Sequence, residues 1–566
     1  MGTGTWHRRL SVSMASLLLA TVAWAAGGLL AVPPAHAGSC SWTGNTSSDW
    51  HTGSNWSSGC SGDGGIPASD DDVLIPSGLS NQPIISSGDA AVNNLTINQN
   101  ASLTVQGSRS LYIAGTFTKS GSFEAGSGTV VFNGPNGSIA TGSTSFYDLR
   151  IASGATVNTS KSFNIQHSFT NEGIFTATDN TVNFVTGPTI TLSGSGSTTF
   201  YNVKINSGKT VEAGSHSFAV SGSTWTNDGT FTAGTSTVTF NGSATQTISG
   251  ATTFHNLTIN NSHTSGDGVT LGADIIVNGT LTLSDGFLTL GSYNLTLGTG
   301  ATVAGTPSAS NMVVATGSGQ LRKQFSGPGS FTFPVGDNTG TAEYSPATLN
   351  FTSGSFSGAY AAVSLADSKH ANNRSPDYLT RYWTVTSSGI SGFSCAATFK
   401  YTDADVVGTE ANIKGAKWDS SWTVYDAVNA ANNTFAMTVS SFSDFTGGSD
   451  PLLIMLASFT ATPLAGAVLL EWETASEMDV AGFNIWRSAS PDGMYVKLNS
   501  ALIPARGSPT RGARYTYTDA DIVPGTVYWY RLEEVDIYGA GTLHGPVIGT
   551  PRPQYRINLP FLALKR

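Results

Sequence analysis

The chain has 566 residues, of which 11% are charged and 39% apolar, and it carries a formal net charge of −10. At roughly 150 residues per domain it divides into several units, and the apolar fraction is enough for buried cores, which excludes a charge-rich disordered chain. The negative balance offers no basic surface to a phosphate backbone, so nucleic acid is not an expected partner.

In chain order, the first element reads as an export signal. His7, Arg8 and Arg9 precede a largely apolar run from Met14 to Val32, and Ala35-His36-Ala37 supplies the small-x-small cleavage pattern. Residues 1–37 are therefore expected to be removed, with the mature protein beginning near Gly38. No later apolar run reaches the roughly 20 residues that span a bilayer. A secreted, extracellular or cell-surface protein without a membrane span after processing is expected.

Residues 38–88 read as an N-terminal cap. In CSWTGNTSSDWHTGSNWSSGC, Cys40 and Cys60 enclose Trp42, Trp50 and Trp56. In an oxidising destination the two cysteines are expected to form a disulfide, and a loop of about 20 residues closed in this way is worth roughly 3 kcal/mol. The tryptophans are expected to cover the open end of the domain that follows. Their alternative role is a platform on which sugar rings stack. Cys395, in the alternating FSCAATF, is expected to be a buried, unreactive thiol.

Residues 89–312 are repetitive. TSFYDLRIASGATV begins at Thr144, TTFYNVKINSGKTV at Thr198 and TTFHNLTINNS at Thr252. Leu95, Leu149, Val203 and Leu257 recur every 54 residues, each followed two positions later by Ile97, Ile151, Ile205 or Ile259. Alternation of period two sends both side chains of each pair to one strand face. A period of this size without helical patterning implies a parallel β-helix, or β-solenoid. Fifty-four residues fit about three turns, so equivalent strands of successive repeats are expected to lie one over another. Asn94, Asp148, Asn202 and Asn256 would then bond backbone groups at turns, and Tyr147, Tyr201 and His255 would form a surface stack. About twelve turns at roughly 4.8 Å each would make a rod near 60 Å long.

The W-T-G, D-W and N-W motifs around Trp42, Trp50 and Trp56, the stretch PASDDDVLIP from Pro67 and the F-x-N-L-x-I repeats occur in that order. Together they resemble a group of bacterial secreted and cell-surface β-helix repeat proteins. The resemblance covers about residues 41–310 and implies an architecture rather than an activity.

Residues 313–455 lose the period and alternate as strands with longer loops, which predicts a β-sandwich. Residues 456–552 contain VLLEWET, FNIWRS and ARYTYTDADIVPGTVYWYRLEEVD and resemble a fibronectin type III domain. That resemblance implies Trp472 as the core tryptophan and Tyr528 as the corner tyrosine. No Arg-Gly-Asp tripeptide is present, so integrin-type recognition is not expected. The tail, 553–566, has Leu559-Pro560 but no sortase motif around it. The fold class expected is all-β: a parallel β-helix followed by two β-sandwich domains.

Chemistry is sparse in this sequence. Glycoside hydrolysis usually needs two carboxylates about 5 to 9.5 Å apart; the acids of the repeats are sparse and none lie together in sequence, but stacking would bring two into one patch, for instance Glu172 and Asp228 in matching NEG and NDG turns. Asp70-Asp71-Asp72, Asp403 with Asp405 and Asp519 with Asp521 have spacings that serve calcium elsewhere, but such residues also cap backbone amides. His167, His216, His255 and His263 lack paired zinc spacing. No catalytic residue, metal or cofactor is expected. The expected function is non-enzymatic: a secreted or cell-surface structural or adhesive stalk contacting polysaccharide, cell-envelope components or other surface proteins. The alternatives are a secreted polysaccharide hydrolase or lyase, or a carbohydrate-binding protein.

Overall fold

A computed structural model describes residues 38–449 and 456–553, apart from 264–265, 476, 478–479, 509–510, 538 and 540. The export signal and nearly all of the tail lie outside the described residues. The molecule is almost entirely β, as its alternating Val, Ile, Thr and Phe patterns dictate.

Residues 38–325 wind into a three-faced solenoid with one short strand per face. Leu95–Ile97 lies on the first face, Ser102–Val105 on the second and Ser110–Ile113 on the third, and Thr116–Lys119 then returns beside Leu95–Ile97. The first face is a 13-stranded parallel sheet from Ser39–Ser41 to Thr302–Gly305, which gives about twelve turns. Strands of three to five residues recur between Gly, Ser and Asn turns, and each buries alternate side chains. Thr144–Ile151 and Phe163–Asn171 are longer because each runs round a corner, with the register breaking between Phe146 and Asp148.

The repeat does not stack as its period implies. Leu95 and Leu257 lie on the first face, Leu149 on the third and Val203 on the second. The physical reason is turn length. Leu149 opposes Val130, nineteen residues back, and Leu281 opposes Leu257, twenty-four residues on. Turns of that size cannot fit three to a 54-residue period. Each repeat instead holds eight strands, or two and two-thirds turns, so equivalent positions step round the rod. Leu149, Val203 and Leu257 are nonetheless all buried, because any apolar alternating strand can stack on any other. The expected surface stack fails for the same reason. Tyr147, Tyr201 and His255 follow Phe146, Phe200 and Phe254 at three different corners, and Tyr147 stacks on His167 at 4.7 Å instead.

The interior is largely apolar and rich in aromatic rings. Phe163, Phe175, Phe169 and Phe200 meet from the three faces with ring centroids 5.2 to 6.0 Å apart, and Trp225 continues the column to Phe231 and Phe254. Asn94, Asn202 and Asn256 each accept a backbone N–H from the next turn, from Thr116, Thr224 and Thr280. Such side-chain bonds satisfy turn amides that the strand ladders leave over. His216 is a buried neutral imidazole: Nδ1–H donates to the Gly194 carbonyl and Nε2 accepts from Thr198, while burial holds its pKa below the ordinary value.

The C-terminal end of the rod is closed by the next domain without a break. Leu321–Phe325 pairs in parallel with Leu295–Leu297 and antiparallel with the long strand Ala347–Ala366, which in turn pairs with Tyr382–Lys400. Val335–Asp337 likewise extends the second face and then turns antiparallel to Glu343–Tyr344. One hydrophobic core runs from Cys40 to Phe445, so residue 312 is not a structural boundary. A chain ended at 312 would leave Leu295–Leu297 and Val313–Val314 positions as open or missing edges, and such edges pair with other chains. We expect residues 38–312 to aggregate on expression while residues 38–449 elute as a monomer, which size-exclusion chromatography checks.

Residues 456–553 form two further sheets. Leu456–Leu464, Ala467–Thr474 and Arg514–Asp519 make one, and Val480–Ser488, Tyr528–Asp536 and Gly541–Gly549, with two short strands, make the other. Their separate core contains Trp472, Phe483, Tyr515, Tyr530 and Leu532.

Candidate functional site

At the N-terminal end, Cys40 and Cys60 are disulfide-bonded. Trp42, Trp50 and Trp56 are only 1%, 1% and 6% exposed, with Trp56 set edge-on to Trp42 at 4.8 Å and to Trp50 at 4.6 Å. The Trp56 indole N–H donates to the Trp50 carbonyl, and the Trp42 indole N–H donates to the Asn81 carbonyl. A sugar ring needs an open aromatic face, and these three indoles present none. The sugar-platform alternative is corrected accordingly: their rings pack over the first turns as the core of the cap.

Along the rod, the carboxylates singled out in the sequence are held by bases one turn away. Glu172 pairs with Arg150 at 2.8 Å and Asp228 with Lys204 at 3.8 Å, all at the surface. Each acid therefore has a cation as its near neighbour, the opposite of a paired-carboxylate site. Outward positions between them are filled by hydroxyl and amide ladders, such as Thr170 to Ser193 and Thr247 to Thr270.

The strongest concentration of charge lies where the rod meets the domain beyond it, and sequence reasoning missed it. Arg381 is fully buried among four acids. Its Nε donates to both oxygens of Asp405, Nη1 donates to Asp337 at 2.5 Å, and Nη2 donates to Glu343 and lies 3.7 Å from Asp367. The strands explain the convergence. Asp337 and Glu343 are cross-strand partners, and Asp405 sits in a one-turn helix, Asp403–Asp405, capped through Thr402. Burial holds Glu343 above the usual carboxylate range, with Asp405 and Asp337 adding to the rise against the opposing Thr402 and Arg381. Asp367 is raised by burial and then by Asp337. Burial opposes the charge on Arg381, but its bonds and charge interactions with Asp405 and Asp337 outweigh this and raise its pKa.

Asp337, Glu343 and Asp367 are the one group of three acids, among the described residues, close enough to share a metal ion. The guanidinium already stands among them, so a cation placed there would face a fixed positive charge at contact distance. The arrangement is an internal ion cluster that clamps three chain segments. Its signal in the sequence was VGDNTGTAEY followed by LTRYW: buried-strand patterns interrupted by charges, in a chain that uses few.

The remaining acidic clusters have protein partners. Asp405 serves Arg381, and Asp403 accepts from Asn433. Asp519 accepts from Arg487 at 2.9 Å and from the Tyr530 hydroxyl, whereas Asp521 offers Arg487 its backbone carbonyl. Asp72 accepts from Asn93 and Asn94, and Asp70 from Ser61. Asp403 and Asp405 thus serve different partners, and Asp519 and Asp521 meet at the Arg487 guanidinium, one through its carboxylate and the other through its backbone carbonyl. Trp472 is buried, and the Tyr528 hydroxyl accepts the backbone N–H of Val523, five residues upstream. Cys395 is buried, and burial pushes its thiol up to about 12.

Among the described residues, no helix is long and apolar enough to cross a membrane. Residues 41–260 match a protein family described as a domain of unknown function, DUF8693. A solved structure, titled the crystal structure of a Fn3-like protein from Clostridium thermocellum, is 19% identical, covering 18% of this chain and 93% of that chain with a TM-score of 0.13. That score is too low to bear on the fold. No curated protein matches the chain.

Proposed function

We propose that this is an exported, non-enzymatic structural or adhesive protein of the bacterial cell exterior. The solenoid is its stalk and a fibronectin type III-like module its C-terminal end. The observation that carries the reading is the way the repeat steps round the rod. Equivalent side chains are distributed over three faces, so Ser, Thr and Asn side chains recur on every side, and Glu172 and Asp228 are each paired with a base one turn back. Such a surface suits a spacer that makes weak, multivalent contacts with polysaccharide or envelope components. Trp472 in the core and the Tyr528 to Val523 bond support the module assignment.

The test is fractionation of the native host together with incubation of the mature protein on purified envelope polysaccharides. The expected result is protein outside the cytoplasmic membrane that is retained by polysaccharide without shortening it. Protein confined to the cytosol, or polysaccharide cut at enzymatic rates, would overturn the reading.

A further inference from the structure

The cap holds a buried carboxylate with half its bonding unmet. Asp71 is fully buried. Its Oδ2 accepts backbone N–H groups from Ser61 at 2.8 Å and Ala68 at 2.9 Å, which pins the loop leaving Cys60. Its Oδ1 has no hydrogen-bond partner among the described residues. A buried carboxylate oxygen without a donor is costly, and a site that keeps one has a donor to gain.

Gly38 stands beside that oxygen. Ser39–Ser41 pairs in parallel with Asp72–Ile75, Ser39 opposite Asp72, and the Gly38 carbonyl accepts the Asp72 N–H at 2.9 Å, so Gly38 is fixed beside Asp71. A Cβ built on Gly38 would stand 2.3 Å from Asp71 Oδ1 and 2.6 Å from the Gly59 carbonyl oxygen. Only glycine fits. The nitrogen and a Cβ on one Cα are about 2.5 Å apart, which places the Gly38 nitrogen within about 4.8 Å of Oδ1. In an uncut chain that nitrogen is an amide with a single hydrogen and no charge.

We propose that the α-ammonium of Gly38, created when the export signal is removed, seats against Asp71 Oδ1 and locks the cap only after processing. The inference rests on the export reading above. Hydrolysis by a signal peptidase adds water across the Ala37–Gly38 amide. The hydroxyl goes to the Ala37 carbonyl carbon, a proton goes to the Gly38 nitrogen, and the resulting amine takes a second proton from solvent. The new group brings three donors and a full positive charge to an oxygen that had neither. Through Asp71 it ties the first strand to Ser61 and Ala68, on the far side of the Cys40–Cys60 bridge. An unprocessed chain would then carry a looser cap, and a mature one a tighter cap.

The test begins with intact-mass measurement and N-terminal sequencing of the exported protein, for which a start at Gly38 is expected. A different start would overturn the proposal for the exported protein, because no Gly38 α-ammonium would form there, whereas the proteins below test the contact itself. The lock itself is tested on four folded proteins released from a fusion: chains starting at Gly38 or at Ala37, each with and without Asp71→Asn. The readout is the rate at which dithiothreitol reduces the Cys40–Cys60 bridge under native conditions. The Ala37 start is expected to be reduced at least about tenfold faster than the Gly38 start, because a buried pair has lost one partner. Asp71→Asn should accelerate reduction in the Gly38 background and add little in the Ala37 background. Equal rates for the two starts, or the same acceleration by Asp71→Asn in both, would overturn the proposal. Should Asp71→Asn not fold, Nα-acetylation of the Gly38 chain removes the same charge and is expected to speed reduction equally.

Discussion

Arg381→Met is expected to destabilise the solenoid and its adjoining domain by about 3–5 kcal/mol, the range for removing one partner of a buried ion cluster. Methionine fills comparable space, so the loss is electrostatic rather than a cavity effect. Asp337 and Asp405, 0% and 1% exposed, would be left without a counter-charge in a region water does not reach. Urea unfolding followed by tryptophan emission checks this, since Trp383 packs two residues away and donates to the Ser345 carbonyl. Glu343→Gln is the informative companion. The folded-state pKa of Glu343 is raised, so its protonated form is the one the fold favours. Its contribution is therefore fully present below the ordinary value of 4.5 and is lost as pH rises through the folded value. Four acids surround a single guanidinium, more than it can balance, so Glu343→Gln should be neutral or stabilising at neutral pH, with a flatter pH dependence than the unmodified protein. A loss for Glu343→Gln at pH 7 as large as that for Arg381→Met would contradict the description of the cluster as acid-rich.

Trp50→Ala is the second large effect, expected at about 3–5 kcal/mol for a fully buried tryptophan. Trp50 contacts the ring of Trp56, and its backbone N–H donates to Ile84, so its removal opens a void directly above the first turn of the rod. The loss should be local. Hydrogen exchange is expected to accelerate in Asp72–Ile75 and Ala90–Val92 while strands around Phe200 keep their protection, because a solenoid turn is stabilised mainly by its neighbours. An uncovered parallel edge also recruits other chains, so the variant should aggregate on mild heating. Unchanged stability with a loss of glycan retention would instead restore the tryptophans as a binding platform.

The solenoid was legible because burial in stacked strands requires only alternation, and that alternation is written plainly at Leu95, Leu149, Val203 and Leu257. Their common period misled about register for a physical reason. A solenoid tolerates turns of unequal length, and a sequence period counts strands without saying how many faces they visit. The cap was readable from its cysteines and tryptophans, since a rod end needs a cover. The Arg381 cluster was not, because its members come from positions 337, 343, 367, 381 and 405 and converge only through long antiparallel pairing. Asp405 and Asp519 stand out in the sequence as members of closely spaced acid pairs, but their arginine partners, 24 and 32 residues away, do not. Glu172 and Asp228 share a local arrangement, each beside the base on the strand one turn back, but Glu172 stands at the corner between the third and first faces and Asp228 at the corner between the second and third, so stacking does not bring them together.

The rotation of the repeat carries the functional reading, because it turns a periodic sequence into a stalk with no privileged face. Cross-linking tests it most directly. Three double-cysteine variants, Thr96→Cys with Thr118→Cys, Arg150→Cys with Thr170→Cys, and Thr258→Cys with Thr282→Cys, join residues that are register partners on adjacent turns. All three should close under a short thiol-reactive linker at high yield, despite their unequal separations along the chain. A variant joining Thr258→Cys to Ile276→Cys, one third of the 54-residue period apart, should not close. Efficient closure of that last pair, with failure of the other three, would put successive repeats one above another and contradict the account.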